Sequence, residues 1–147
     1  MLVIIGLIPL PLGFLQNHIM MVANRLPPLL IISIAMLIIW FSISMLSKKY
    51  IKTKLETMIL LNAMAIIALI LNLFQEYVIG HYFMNFIGTV TQLFFLPFLS
   101  LGFALTSGIS NLLSGTIYTT TFAYIAVFVC MLLVSYLGRL AGERRRN

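Results

Sequence analysis

Apolar runs of about twenty residues recur along this chain, and short stretches between them hold most of its polar side chains. A bilayer core of about 30 Å is crossed by about 20 residues of helix, at about 1.5 Å per residue. Four runs meet that length: residues 26–47, 57–79, 86–106 and 117–138. The first is entered through Pro27 and Pro28, which suit the opening turn of a helix because no helical partner awaits an N–H there. The third carries Pro97 at its midpoint. Residues 1–15 are apolar but too short for an upright span; with Pro9 and Pro11 they read as a re-entrant, interfacial or short helix. The expected fold is therefore an all-α, polytopic transmembrane helical bundle, forming a single integral membrane domain over residues 1–147. It has about four spanning helices and a short apolar, proline-containing N-terminal segment.

The connections differ in character. Residues 48–56 are short and cationic. Residues 75–85 hold Tyr77 and Tyr82, the aromatic type that collects at headgroup depth. Residues 107–116 are uncharged and rich in Gly and Ser, fitting a turn at either surface or a segment dipping into the membrane. No internal repeat stands out.

Charge sharpens this picture. Only 8% of the chain is charged and 62% is hydrophobic, with a mean hydropathy of +1.12. A small soluble domain cannot hide that much apolar surface. Ten of the twelve charges fall in two clusters, Lys48–Glu56 and Arg139–Arg146; Arg25 and Glu76 stand apart. Lys48, Lys49, Lys52, Lys54, Arg139, Arg144, Arg145 and Arg146 border the spans, as topology signals and contacts for anionic headgroups. The net charge of +6 therefore points to the lipid bilayer and not to nucleic acid, which basic patches bind from a soluble surface. Cationic loops favour the cytoplasm, so the Lys48–Lys54 loop is placed there, in a bacterial-type plasma membrane. A conflict follows. Three complete crossings after that loop would carry the C-terminal cations to the other side. Four complete crossings is the reading taken. The alternative is a broken hairpin over residues 86–116, which would leave both clusters on one side.

Polar side chains in hydrocarbon are costly, so their spacing marks protected faces. Asn62, Ala65, Leu69, Asn72 and Glu76 recur at helical spacing and form the most specific polar stripe. Hydrogen bonding between packed helices explains it most simply; an ion or substrate path along Asn62, Asn72, Glu76 and Gln92 is the alternative. Ser33, Leu37, Trp40, Ser44 and Ser47 form a second stripe, and Ser100, Ala104 and Gly108 a small-residue edge that lets helices approach closely. His18, Glu76 and His81 are weak candidates for a metal site near one surface, at a spacing that matches no established motif. The plainer reading pairs Glu76 with Arg25 at headgroup level.

Signs of catalysis are absent from the sequence. The chain contains no Asp, no H-E-x-x-H and no G-x-S-x-G, so no enzyme activity and no cofactor are expected. The single Cys130 lies in an apolar run and reads as a packing residue. The first residues lack a positive n-region and a small-x-small cleavage site, so a signal peptide is not favoured. The expected role is a non-enzymatic accessory or structural subunit that packs with other membrane helices, in a homo-oligomer or with a membrane-protein partner. A transporter or channel component is the runner-up.

Overall fold

The computed structural model describes residues 2–23, 28–51, 53–81, 85–112 and 120–144. All regular structure among them is helical: α1 (Leu2–Ile5), α2 (Pro9–Ala23), α3 (Leu29–Ser47), α4 (Lys54–Phe74), α5 (Phe86–Leu112) and α6 (Thr120–Arg144). A π-helical turn, Gln75–Ile79, continues α4 and closes on Gly80 at φ 79°. Five helical stretches are long and apolar enough to cross a membrane, and the protein is a membrane-embedded helical bundle.

The fifth stretch extends the short N-terminal segment expected from the sequence. Residues 1–15 do not stop short: Leu2–Val22 forms one run of sufficient length. Pro9 and Pro11 do not break it, because both fall in the first turn of α2, where a missing N–H leaves no helical bond unmade. Short backbone bonds from Leu7 to Ile4 (3.1 Å), Ile8 to Ile5 (3.0 Å) and Leu10 to Leu7 (2.9 Å) carry the chain across the join with α1. The start of α4 follows its sequence closely. Thr53 accepts a bond from the Glu56 N–H at 3.2 Å, the arrangement a Thr-x-x-Glu cap provides.

Hydrogen bonds between helices fix their directions. Trp40 and Ser47 on α3 meet Asn62 and Thr57 on α4, so these two run antiparallel from the Lys48–Lys54 loop. Ser44 donates to the Ser135 carbonyl, and Gly142 faces Met45, so α6 runs beside α3 in the same direction. At α1, Gly6 lies against the Leu61 carbonyl. Leu7 and Leu10 then share a cavity wall with Met64, Ile67, Ala68 and Leu71, so the N-terminal stretch runs parallel to α4.

The Lys48–Lys54 loop and the end of α6 therefore occupy one end of the bundle. Lys48 donates to the Glu143 carbonyl at 3.0 Å, and Arg139 to the Ile51 carbonyl at 2.8 Å. Lys54 pairs with the Glu143 carboxylate at 2.9 Å.

Helix α5 behaves differently from its neighbours. Taking the Ser47–Thr57 level as zero, Ser33 and Leu71 both lie fourteen residues away, about 21 Å along their helices. Ala123 lies at a similar height, twelve residues before Ser135. Helix α5 meets all three levels. Phe86, Ile87 and Val90 share a cavity with Ile67 and Leu71. The Ser33 hydroxyl donates to the Pro97 carbonyl (2.8 Å) and bonds the Ser100 hydroxyl (2.8 Å). Gly102 faces Ala123 and Val127. About 24 Å of helix thus stays near one height, so α5 lies across the uncharged half of the bundle instead of along it.

Proline makes that placement workable. Pro97 has no N–H to offer the Leu93 carbonyl, and Gly13 of α2 packs directly against that carbonyl and the Pro97 ring. Any Cβ at residue 13 would collide with the Leu93 oxygen. From this level the Phe98 ring reaches down to Trp40, edge to face at 6.2 Å.

Candidate functional site

Two polar layers occupy the interior, and they differ in one respect: whether their hydrogen bonds are made. The layer nearer the cationic end joins α3, α4 and α6. Asn62 accepts from the Trp40 indole at 3.0 Å. Its amide donates to the Met58 carbonyl at 2.9 Å and to the Ser135 hydroxyl at 3.0 Å. Ser135 in turn donates to Met131 (2.7 Å). Asn62 and Ser135 are 0% exposed and every polar atom of the Asn62 side chain has a partner. A carboxamide held this way is a three-helix clasp, with both of its N–H donors and one lone pair of its oxygen engaged.

Replacing Trp40 with Phe should test the clasp. The ring packing survives but the Asn62 oxygen loses its donor in a dry interior. Unfolding in mild detergent should show a loss of about 2 kcal/mol, the cost of one unsatisfied buried acceptor. A change below about 0.5 kcal/mol would show that the bond does not matter.

The second layer lies toward the uncharged end. Asn72 is 1% exposed, and neither its oxygen nor its nitrogen has a partner among the described residues. The Thr121 hydroxyl, 1% exposed on α6, is likewise unpaired. The Asn62–Ser135 bond sets the register between the antiparallel α4 and α6. Ten residues on from Asn62 is Asn72, and ten back from Ser135 is Ile125, next to Tyr124. Four further steps bring Glu76 opposite Thr121. The Glu76 carboxylate is within electrostatic reach of the buried Tyr124. The backbone widens here too: α4 passes into its π-helical turn three residues after Asn72, a feature that often accompanies functional positions. Gln75, 0% exposed, bonds back to the Leu71 carbonyl at 3.1 Å.

The two layers do not communicate through open space. Leu61, Ala65, Val127 and Met131, each at most 1% exposed, fill the interior between them with Trp40 and Phe98.

The remaining sequence candidates are scattered. Gln92 is half-buried on α5, outside the α4–α6 seam. His18 is exposed on α2, and His81 is exposed just beyond Gly80. Among the described residues no three His, Cys, Asp or Glu side chains come together, so His18, Glu76 and His81 are not assembled as a metal site.

At the cationic end, Lys49 and Arg144 are exposed, whereas Lys48 and Lys54 are tied to Glu143. Arg139 is only 2% exposed and braces the loop through Ile51, with Glu143 at 3.8 Å. It is an internal strut. Arg25, Lys52, Tyr82, Arg145 and Arg146 lie outside the described residues.

Two contributions were hidden in the sequence. Gly138 and Gly142 pack against the Phe41 and Met45 backbone. Their G-x-x-x-G spacing is a helix-packing signal, set in a segment whose charges direct attention elsewhere. Ser135, the partner of Asn62, carries no distinguishing pattern at all. No family model, no curated protein and no solved structure matches this chain.

Proposed function

We propose that this chain is a non-enzymatic accessory or structural subunit that packs with other membrane helices. Its cationic end would face the cytoplasm of a bacterial-type plasma membrane. The observation that supports this most is the closed Asn62 clasp. The carboxamide best placed to line a central path is tied to Trp40, Met58 and Ser135, and packed apolar side chains fill the interior next to it. Such an interior holds helices in place and offers no continuous polar route. The outer faces, in contrast, present large apolar side chains on every long helix, such as Phe14 on α2, Ile38 on α3 and Ile70 on α4. These suit lipid or neighbouring helices equally well.

The test is the mass of the particle purified in a mild detergent that preserves complexes. A stable particle holding more than one chain, either copies of this 16.6 kDa protein or a reproducible second membrane protein, is the expected result. A single chain that moves a solute across reconstituted liposomes would replace this reading with transport. One observation favours that second reading: the unpaired carboxamide of Asn72 beside Glu76.

A further inference from the structure

The contact between Asn62 and Ser135 recurs along the seam between α4 and α6. Two heptads on from Asn62 is Glu76, and two heptads back from Ser135 is Thr121. The antiparallel register therefore sets Glu76 opposite Thr121. Two heptads turn a helix only about 40° from its starting face, so both residues stay on the sides where α4 and α6 meet. Asn72 stands one turn closer to the clasp, on the same side of α4 as Glu76. Tyr124, buried beside the Phe95 ring at 5.1 Å between centroids, flanks this layer toward α5.

The recurrence differs from the clasp in its bonding. The Asn62 amide and the Ser135 hydroxyl meet at 3.0 Å. In the second layer Asn72 Oδ1, Asn72 Nδ2 and Thr121 Oγ1 are all buried and all unpaired. Asn72 and Thr121 are each 1% exposed. Their levels along the seam differ by one turn, about 6 Å, too far for a direct bond and close to the span of two bonds through one water. Native interiors pair such groups with protein or with ordered water, because leaving them dry is costly. The partner here must donate and accept at once. A cation would serve the oxygens and leave the Asn72 N–H₂ group unmet, and an anion would leave its oxygen unmet. Water does both, and an internal water makes about three hydrogen bonds.

We propose that this layer is an internal hydration site, with a water molecule held between Asn72 and Thr121. Polar side chains continue from it toward the uncharged end only, through the half-buried Glu76. In the other direction Leu61, Ala65, Val127 and Met131 separate it from the clasp. The seam is thus wet at one layer and dry at the other. The site stands whether the protein works as a subunit or in transport.

The experiment uses the purified full-length protein in detergent, with its asparagine side chains labelled with nitrogen-15. A nuclear Overhauser cross-peak between the Asn72 N–H₂ protons and water is expected. None is expected for the Asn62 amide, whose donors are taken by Met58 and Ser135. The cross-peak should persist in Thr121→Val, which removes a hydroxyl whose exchange with solvent would imitate bound water. Melting temperatures give a second reading. Asn72→Leu or Thr121→Val alone strands the other group, so the double variant should melt several degrees above the sum of the two single shifts. If Asn72→Leu fails to fold, the cross-peak in the unsubstituted protein decides. The proposal is overturned by the absence of a water cross-peak at Asn72, or by a cross-peak there to the carbon-bound protons of a co-purified solute. Additive rises in melting temperature from the two single substitutions would also overturn it, since they would mark two independent dry groups.

Discussion

Gly138→Leu will dismantle the contact between α3 and α6, with a loss of about 3 kcal/mol or more in detergent unfolding. The reason is backbone proximity. A Cβ at residue 138 would sit 2.5 Å from the Phe41 carbonyl oxygen, and one at residue 142 the same distance from that of Met45. Real side chains do not approach backbone oxygen so closely, and a carbonyl inside a helix cannot rotate away. The helices must separate. That separation would also pull Ser44 from Ser135 and loosen the Asn62 clasp, which depends on α3 and α6 lying this near. The cost is therefore larger than one overpacked contact, and neighbouring substitutions should not add independently. Ala141→Leu is the control. Ala141 lies between the two glycines in sequence but is only half-buried, so its replacement should change stability by less than about 1 kcal/mol. Equal effects at residues 138 and 141 would show that the glycine seam is not where α3 and α6 are held together.

The sequence makes some of this plain and leaves some of it silent, for physical reasons that can be traced to residues. Apolar length locates α3, α4 and α6 because hydrocarbon thickness imposes it. The same criterion says nothing of tilt, so the placement of α5 across the bundle is invisible in its composition. Only the charge conflict hints at it: two cationic clusters that cannot share a side if every long run crosses. Pro9 and Pro11 look like breakers until their place in the first turn of α2 is known. Proline's effect depends on whether its N–H would have had a partner, and sequence alone does not say where the turn begins. Asn62 and Asn72 are indistinguishable in the stripe. What separates them is tertiary: Trp40 and Ser135 reach the first, and no described residue reaches the second. Arg139 shows the converse. Beside three other arginines it reads as a headgroup anchor, yet the approach of α6 to the Lys48–Lys54 loop buries it against Ile51.

Reporters fused after Asn147 and inserted in the Lys48–Lys54 loop will report the same side of the membrane. Two groups on opposite faces of a bilayer are about 30 Å apart or more. Lys48 and Lys54 instead meet Glu143 at 3.0 and 2.9 Å, and Arg139 meets Ile51 at 2.8 Å. The chain accommodates this because α5, although long enough to cross, stays at the level of Ser33, Leu71 and Ala123. On this arrangement the expected crossings are the N-terminal stretch, α3, α4 and α6, an even number that would return the end of α6 to the side of the Leu2 end. A third reporter inserted at Gly80, which closes the far end of α4, should show the opposite side. With the cationic end facing the cytoplasm, as proposed, both reporters will read that side; eight of the nine Lys and Arg residues belong to the two clusters. Moving the C-terminal reporter to the far side would require α5 to stand upright through the membrane. That would break the Ser33–Pro97 and Ser33–Ser100 bonds and part Gly13 from Leu93. Opposite signals from the first two reporters would therefore refute both the transverse helix and the ion-paired cationic end in a single measurement. Matching signals would make the charge clusters, and not the count of apolar runs, the better guide to how this chain is threaded.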